Sequence, residues 1–256
     1  TDAKTADMVA WVKKMREGGL KIKAVLPEAE GADTEGVINW TSPLTRGDKQ
    51  VTPEQGTARI AGLLAGTGLT MSATYAPLPG FGDPTRMDKA ARDEAVGKGK
   101  LTAFWDGEKT KLNRAVTSLT TTTEVKGDSF KKIRIVDIMD MVFTDIKKTT
   151  EDDYIGKYIN TYDNKCLLVG AVNQYFISLS RSGAVDTGVC SIDVAAQRAY
   201  LVEQGKKILT RDLEEKEPKE CTDAEIMAAN TGAKVFLKAR LSILDAIEDV
   251  DMAIEI

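Results

Sequence analysis

Residues 112–149, LNRAVTSLTTTTEVKGDSFKKIRIVDIMDMVFTDIKKT, join the most regular strand signal of the chain to its longest uninterrupted helix signal, and any fold has to accommodate both. Asp128 or Ser129 can accept hydrogen bonds from the first free N–H groups of a helix, which sets its expected start there. Ile135, Ile138, Met139, Val142 and Ile146 then recur at helical spacing, while Asp137, Asp140 and Asp145 fall outside the stripe and are expected on the wet face. A helix with one apolar face needs a sheet to cover. That sheet is expected to begin just upstream, where LTAFWD and KTKLNRAV flank Asp106-Gly107, a dipeptide suited to a tight hairpin turn. The run 120–123 of four threonines reads as an exposed, extended connection.

The 256 residues are 42% hydrophobic, enough for a substantial core arranged as one large domain or two modest ones. Charged residues reach 29% at a net charge of only −4, which supplies no basic field for nucleic acid and no polybasic patch for a membrane. Neither partner is expected. The apolar runs IAGLLAG and CLLVGAV are too short to span a bilayer, and no charged-then-apolar signal opens the chain, so the expectation is a soluble cytosolic protein. Cys166, Cys190 and Cys221 stand far apart without any CxxC pair, which suits reduced thiols. The chain has no histidine. It therefore lacks the usual general base near neutral pH, the usual zinc ligand and any Ser–His–Asp or Cys–His pair of its own.

From the N-terminus, residues 1–18 read as a helix with Met8, Val9, Trp11, Val12 and Met15 on its apolar side. LKIKAVL follows as a strand in which Leu20, Ile22, Ala24 and Leu26 alternate with Lys21 and Lys23 until Pro27, and VINW at 37–40 is a second strand. Thr52-Pro53-Glu54-Gln55 has the order of a capping box and opens a helix over 53–66 whose small side chains allow close packing. This αββα order indicates a layered α/β region. Residues 77–99, rich in Pro and Gly, read as a linker, with a domain boundary near residue 98, so that 1–98 and 99–256 are the expected domains. A second long helix is predicted over 163–182 on the stripe Leu168, Ala171, Val172, Tyr175 and Leu179, with Gly183 past its end, and a third over 193–204. TRDLEEKEPKE reads as a solvated loop, and Thr222 with Glu225 as a capping box for a short helix closed by Asn230 and Gly232.

The chain is expected to finish in β-strands. Val235, Leu237, Ala239, Leu241 and Ile243 alternate with Lys234, Lys238, Arg240 and Ser242, and Val250, Met252, Ile254 and Ile256 alternate with Asp251, Ala253 and Glu255. One outer face is basic and the other acidic, which suits a hairpin between the two. A strand at an extreme terminus can equally complete a neighbour's sheet, which makes 250–256 a candidate intersubunit strand and Val235, Leu237, Ala239, Leu241 and Ile243 a candidate receiving strand.

No set of residues reads as catalytic, cofactor-binding or metal-binding. GLLAGTG at 62–68 lacks the Lys-Ser/Thr ending of a phosphate-binding loop and lies inside a predicted helix, where close packing and a helix end account for it. Asp137, Asp140, Asp145, Asp152 and Asp153 match no calcium-loop spacing and read as a solvated face. Trp11, Trp40 and Trp105 have no basic interleaving and read as core anchors.

Taken together, FWDGEKTKLNRAVTSLTTTT, FKKIRIVDIMDMVFTDI, YIGKYINTYDNKCLLVGAVNQYF, ANTGAKVFLKARL and AIEDVDMAIEI resemble the C-terminal domain of contractile tail sheath proteins of myophages and of phage-like particles of Gram-positive bacteria. VINW and VTPEQGTARIAGLLAG resemble the preceding domain of that family, called subtilisin-like for its fold. The resemblance implies a partial layered α/β (subtilisin-like) domain followed by an α+β sheath domain. It implies a structural subunit, not an enzyme, stacked as hexameric rings around a tail tube and shortening on a signal from the baseplate to drive the tube through the host envelope. Implied partners are other sheath copies, the tube protein, the baseplate and the tail terminator, with no cofactor. The implied location is the virion tail, after assembly in the host cytoplasm. Two other readings are a sheath of a phage-tail-like bacteriocin or secretion particle, and, in a different class, a hydrolase on the subtilisin-like scaffold. The opening at Thr1, without an initiator Met or the family's N-terminal domain and arm, reads as a fragment of a longer protein.

Overall fold

The computed structural model describes residues 2–124, 126–210 and 214–254. Two compact units emerge: one runs up to residue 144 and resumes at 245, and the other comprises 145–244. The second is thus an insertion in the chain path of the first. The boundary expected near residue 98 falls inside the first unit.

The first unit opens with helix α1 (Ala3–Glu17), capped by Asp2, whose side chain accepts from the Thr5 N–H at 2.7 Å. Strand β1 (Ala24–Pro27) runs parallel to β2 (Val37–Trp40), in register from Ala24 opposite Val37 to Pro27 opposite Trp40. Only the last residues of LKIKAVL join this ladder. The hairpin β3 (Leu44–Arg46) and β4 (Lys49–Val51) was not foreseen; it leads into α2 (Pro53–Gly66), where Thr52 and Gln55 form the expected capping box. Gly62 and Gly66 have open space where a side chain would stand, so close packing does not explain the GLLAGTG run as expected.

The expected linker is folded. Helix α3 (Lys89–Gly97) lies within it, with Asp88 as N-cap, and Leu78 is fully buried in the main core. Strand β5 (Lys100–Leu101) then adds to β2 in parallel to give the order β1-β2-β5. Between α3 and β5, Gly99 takes a left-handed φ of 66°, and a Cβ there would sit 2.8 Å from the Ser118 carbonyl oxygen. Ser118 is pinned, its N–H donating to Val37 and its hydroxyl to Thr34. Backbone strain and backbone overlap therefore act together, and Gly99→Ala is expected to lose about 2–4 kcal/mol of unfolding free energy in urea melts. A loss below about 1 kcal/mol would show that Ser118 yields freely.

Strands β6 (Ala103–Trp105) and β7 (Thr110–Leu112) form the predicted hairpin through Asp106-Gly107, the Asp106 carboxylate accepting from the N–H groups of Glu108 and Lys109. Helix α4 (Ile133–Thr149) begins later than expected, because 128–131 form a 3₁₀ turn and Lys132 is extended. The unit's main core gathers Trp40, Leu44, Ile60, Leu101, Leu112 and Ile133, and a second cluster places Val12 of α1 on Leu26 and Val37. Of the three tryptophans only Trp40 is a core anchor; Trp105 is half-buried beneath Arg86, and Trp11 is exposed.

In the second unit, α4 ends in a π turn (Thr150–Tyr154), and α5 (Tyr162–Arg181) follows with Thr161 as its N-cap. Strand β8 (Thr187–Ile192), α6 (Val194–Glu203), the two-residue strands β9 (Ile208–Leu209) and β10 (Glu215–Lys216), α7 (Asp223–Ala228) and β11 (Leu237–Ser242) complete it. Residues 210–220, expected as a solvated loop, contain β10, which pairs back on β9 just before them; part of the stretch lies outside the described residues. Leu201, Ile208, Cys221, Ile226 and Ala229 form this unit's core cluster. Among the described residues no helix is long and apolar enough to cross a membrane.

Candidate functional site

The candidate receiving strand is β11, but its partner is not the one the sequence suggests. It pairs antiparallel with β8, from Leu237 opposite Ile192 to Ser242 opposite Thr187. The expected hairpin with the end of the chain does not form, since 243–254 carry no strand; Glu255 and Ile256 lie outside the described residues. Val235 and Ile243, included in the expected strand, flank β11 instead of belonging to it. The terminal residues alternate as a strand does, but alternation does not specify which backbone supplies the hydrogen bonds.

One face of the β8–β11 ribbon rests on α5. The Asn173 side chain accepts from the Cys190 N–H at 2.7 Å and donates to the Cys190 carbonyl at 3.0 Å, tying the helix to the strand. Gly188 marks the closest approach: a Cβ there would lie 2.8 Å from the Phe176 ring and 2.7 Å from Leu241. Strand β8 escaped sequence reading because this glycine interrupts the β-branched pattern and Val189 faces solvent. Its usable signal was the alternation of Gly188, Cys190 and Ile192 with Val189 and Ser191.

The segment leading into β11 is fixed by two side chains from around the start of α5. The Asn160 amide reaches Thr231 Oγ1 and the carbonyls of Gly232 and Lys234 at 2.6–3.0 Å. Lys165 is buried and donates to the Ala229 carbonyl at 3.1 Å, just past the end of α7. Burial pushes the Lys165 ammonium below its ordinary pKa. The unfolded chain therefore binds more protons than the folded one between that lowered value and 10.5, and the contribution of Lys165 to stability rises as pH rises through this window. Urea melts across the alkaline range should show a steeper upward slope for the native protein than for Lys165→Met; equal slopes would mean that Lys165 is not desolvated in the folded state.

Among the described residues, no second strand pairs with the outer edge of either β8 or β11. These outer edges leave a row of backbone N–H and C=O groups without a strand partner, the feature by which an edge strand can take up another chain. At the chain end, Val250, Met252 and Ile254 are 74, 76 and 77% exposed.

The remaining sequence candidates separate into structural roles. Asp140 is buried and not on the wet face: Arg16 of α1 binds it in a fork, with both nitrogens at 2.8 Å, while Asp137 pairs with Lys23. Asp145 is exposed and accepts from the Tyr175 hydroxyl at 2.6 Å, and Asp152 and Asp153 lie in the π turn. No group of three or more metal-ligating side chains gathers among the described residues. Burial raises the pKa of the Cys190 and Cys221 thiols, the opposite of an activated nucleophile.

Comparison with known proteins matches residues 1–118 to the family described as the phage tail sheath protein central domain, and 125–256 to the phage tail sheath C-terminal domain. The tail sheath protein of Clostridium phage phiCD119 is 37% identical over 256 residues, which cover 99% of this chain and 69% of that protein. Among solved structures, a sheath tail protein from Desulfitobacterium hafniense superposes with a TM-score of 0.68 at 27% identity, over 75% of this chain and 48% of that one. This chain thus spans about half the length of that relative. The helical sheath of the anti-feeding prophage in its contracted state shares the fold with a TM-score of 0.69 at 14% identity, over 98% of this chain and 66% of that one.

Proposed function

Because the chain belongs to the phage tail sheath family, we propose that it is a structural subunit of a contractile tail sheath, polymerising around a tail tube and driving that tube through the host envelope when the sheath shortens. The observation that carries this reading is the presence in one chain of two features: a β8–β11 ribbon whose outer edges pair with no strand among the described residues, and a terminal segment of exposed alternating apolar residues. Residues 250–256 of one copy then add as a strand beside 235–243 of the next, main-chain hydrogen bonds providing affinity and alternate side chains providing register. Repeated from copy to copy around an axis, such a head-to-tail link generates rings or a helical stack.

The work of contraction comes from the repacking of subunit surfaces, with no catalytic step. The absence of histidine and the raised pKa of the buried Cys190 and Cys221 thiols support a structural role. Partners in this reading are other copies of the sheath protein, the tube, the baseplate and the tail terminator. Its place is the virion tail, after assembly in the host cytoplasm. A phage tail is preferred to a bacteriocin-like or secretion particle because the 37%-identical relative is a phage protein.

Electron microscopy of the full-length protein, alone and with its tube protein, tests the proposal. Hollow, regular tubes of sheath diameter are the expected result. Dispersed particles under all assembly conditions, together with specific turnover of a peptide library, would overturn it.

A further inference from the structure

Between the end of β11 and the exposed apolar tail lies a short acidic segment, Asp245-Ala246-Ile247-Glu248-Asp249, and it is held down on the first unit. Glu248 is the centre. Its side chain is only 9% exposed, and Oε1 accepts from the hydroxyls of Ser72 at 3.0 Å and Thr74 at 2.6 Å. Oε2 faces Arg114 and Lys132, each at 3.5 Å. The same two cations hold the flanking acids, Arg114 pairing with Asp249 and Lys132 with Asp245.

The receiving side is built, not incidental. Thr74 Oγ1 also accepts from the Ala115 N–H at 3.0 Å, and the Ser72 hydroxyl oxygen accepts from the Thr74 N–H at 3.1 Å, so both hydroxyls are aimed by the backbone around them. Arg114 follows β7 and Lys132 precedes α4, so three separate stretches of the first unit converge on one five-residue segment. The segment binds through its acids and turns its largest apolar side chain away: Ile247 is 89% exposed. Hydrophobic burial therefore does not hold it there. Charge and hydrogen bonding do.

We propose that Ser72, Thr74, Arg114 and Lys132 form a cradle specific for the acidic segment 245–249 of the same chain, an electrostatic strap that fixes where the apolar tail leaves the first unit. The spacing Asp-x-x-Glu-Asp is the recognised feature: the central carboxylate enters the hydroxyl pair, and each outer one takes a single cation. This assignment does not rest on the sheath reading, and a strap that failed would leave that reading untouched.

Glutamyl endopeptidase, which cuts after Glu248, reads the strap directly. The free peptide 243–256 serves as the unprotected reference. Cleavage of the folded chain at this bond is expected to be roughly tenfold slower than in the peptide, the factor that a charged hydrogen bond of this kind supplies. Arg114→Gln with Lys132→Gln leaves the protease site intact and should restore the peptide rate. Salt at about 1 M, where screening reaches within a few ångströms, should restore much of it as well. Asp245→Asn changes the tail alone, three residues from the cut, and should raise the rate even if the cradle variants fold poorly. Protection should persist unchanged on hundredfold dilution, as an intrachain contact requires. Cleavage of the native chain as fast as the peptide, no acceleration in any variant, or protection that disappears on dilution would each overturn the proposal.

Discussion

Removing residues 250–256 from the full-length protein is expected to abolish sheath polymerisation while the subunit keeps a single cooperative melt. Val250, Met252 and Ile254 are largely exposed, so their loss takes little from the folded subunit. Placed on a neighbour's ribbon, each contributes roughly 1.5–3 kcal/mol when fully buried, and the strand's main-chain ladder adds to this. Several kcal/mol per junction correspond to a change of some thousandfold in each association step, since every 1.4 kcal/mol is about a factor of ten. Electron microscopy and calorimetry on the same truncated protein decide the matter. Tubes that still form would remove the tail from the assembly, and a subunit that no longer melts cooperatively would place the tail in its own fold.

A comparably large effect is expected at Arg16, this time on the subunit itself. Its guanidinium binds Asp140 through two nitrogens, reaches Glu35 at 3.4 Å and donates to the Ile22 carbonyl at 3.0 Å, all with almost no exposure. Burial works against its charge, yet the Asp140 hydrogen bonds raise its pKa above the ordinary arginine value. Arg16→Ala leaves Asp140 facing only Lys23 at 3.8 Å and should cost about 3–5 kcal/mol in a urea melt. Lysine is a poor substitute because the planar fork is what matches the carboxylate. Combining Arg16→Met with Asp140→Leu removes both charges and should recover much of the loss, a coupling that a double-mutant cycle measures. A single-variant cost below about 1 kcal/mol would show that water enters and pairs the orphaned carboxylate.

How far the sequence could be read depended on whether the deciding contact was local. Capping boxes at Thr52 and Thr222, the hairpin at Asp106-Gly107 and the helical stripe of α4 are set within a few residues, and they stand in the structure as the pattern foretold. Asp140 was assigned to water because the helical period places it off the apolar stripe, and its arginine lies 124 residues away, where no periodicity reaches. Residues 77–99 looked like a linker because Pro and Gly dominate the composition, yet Leu78 anchors them in the core and Asp88 starts a helix. At the candidate site, β11 was legible as an alternating strand, whereas 250–254 alternate equally and carry no strand. The partner of β11 was not legible, because a period of two says which side chains share a face and nothing about which backbone lies alongside. The acidic strap was invisible for the same reason, its cradle being gathered from three distant stretches.

The insertion of 145–244 within the first unit bears on how tension travels. In a chain of subunits joined by exchanged strands, a pull received at β11 enters the second unit, while the tail that passes it onward departs from the first. Two covalent crossings, 144–145 and 244–245, join the units, so in the proposed assembly a load would have two tethers to follow in place of one. In the proposed assembly, residues 245–249, gripped beside the second crossing, would act as a cleat on a rope: a tug on the tail would meet Arg114 and Lys132 before it reached the peptide bond behind them.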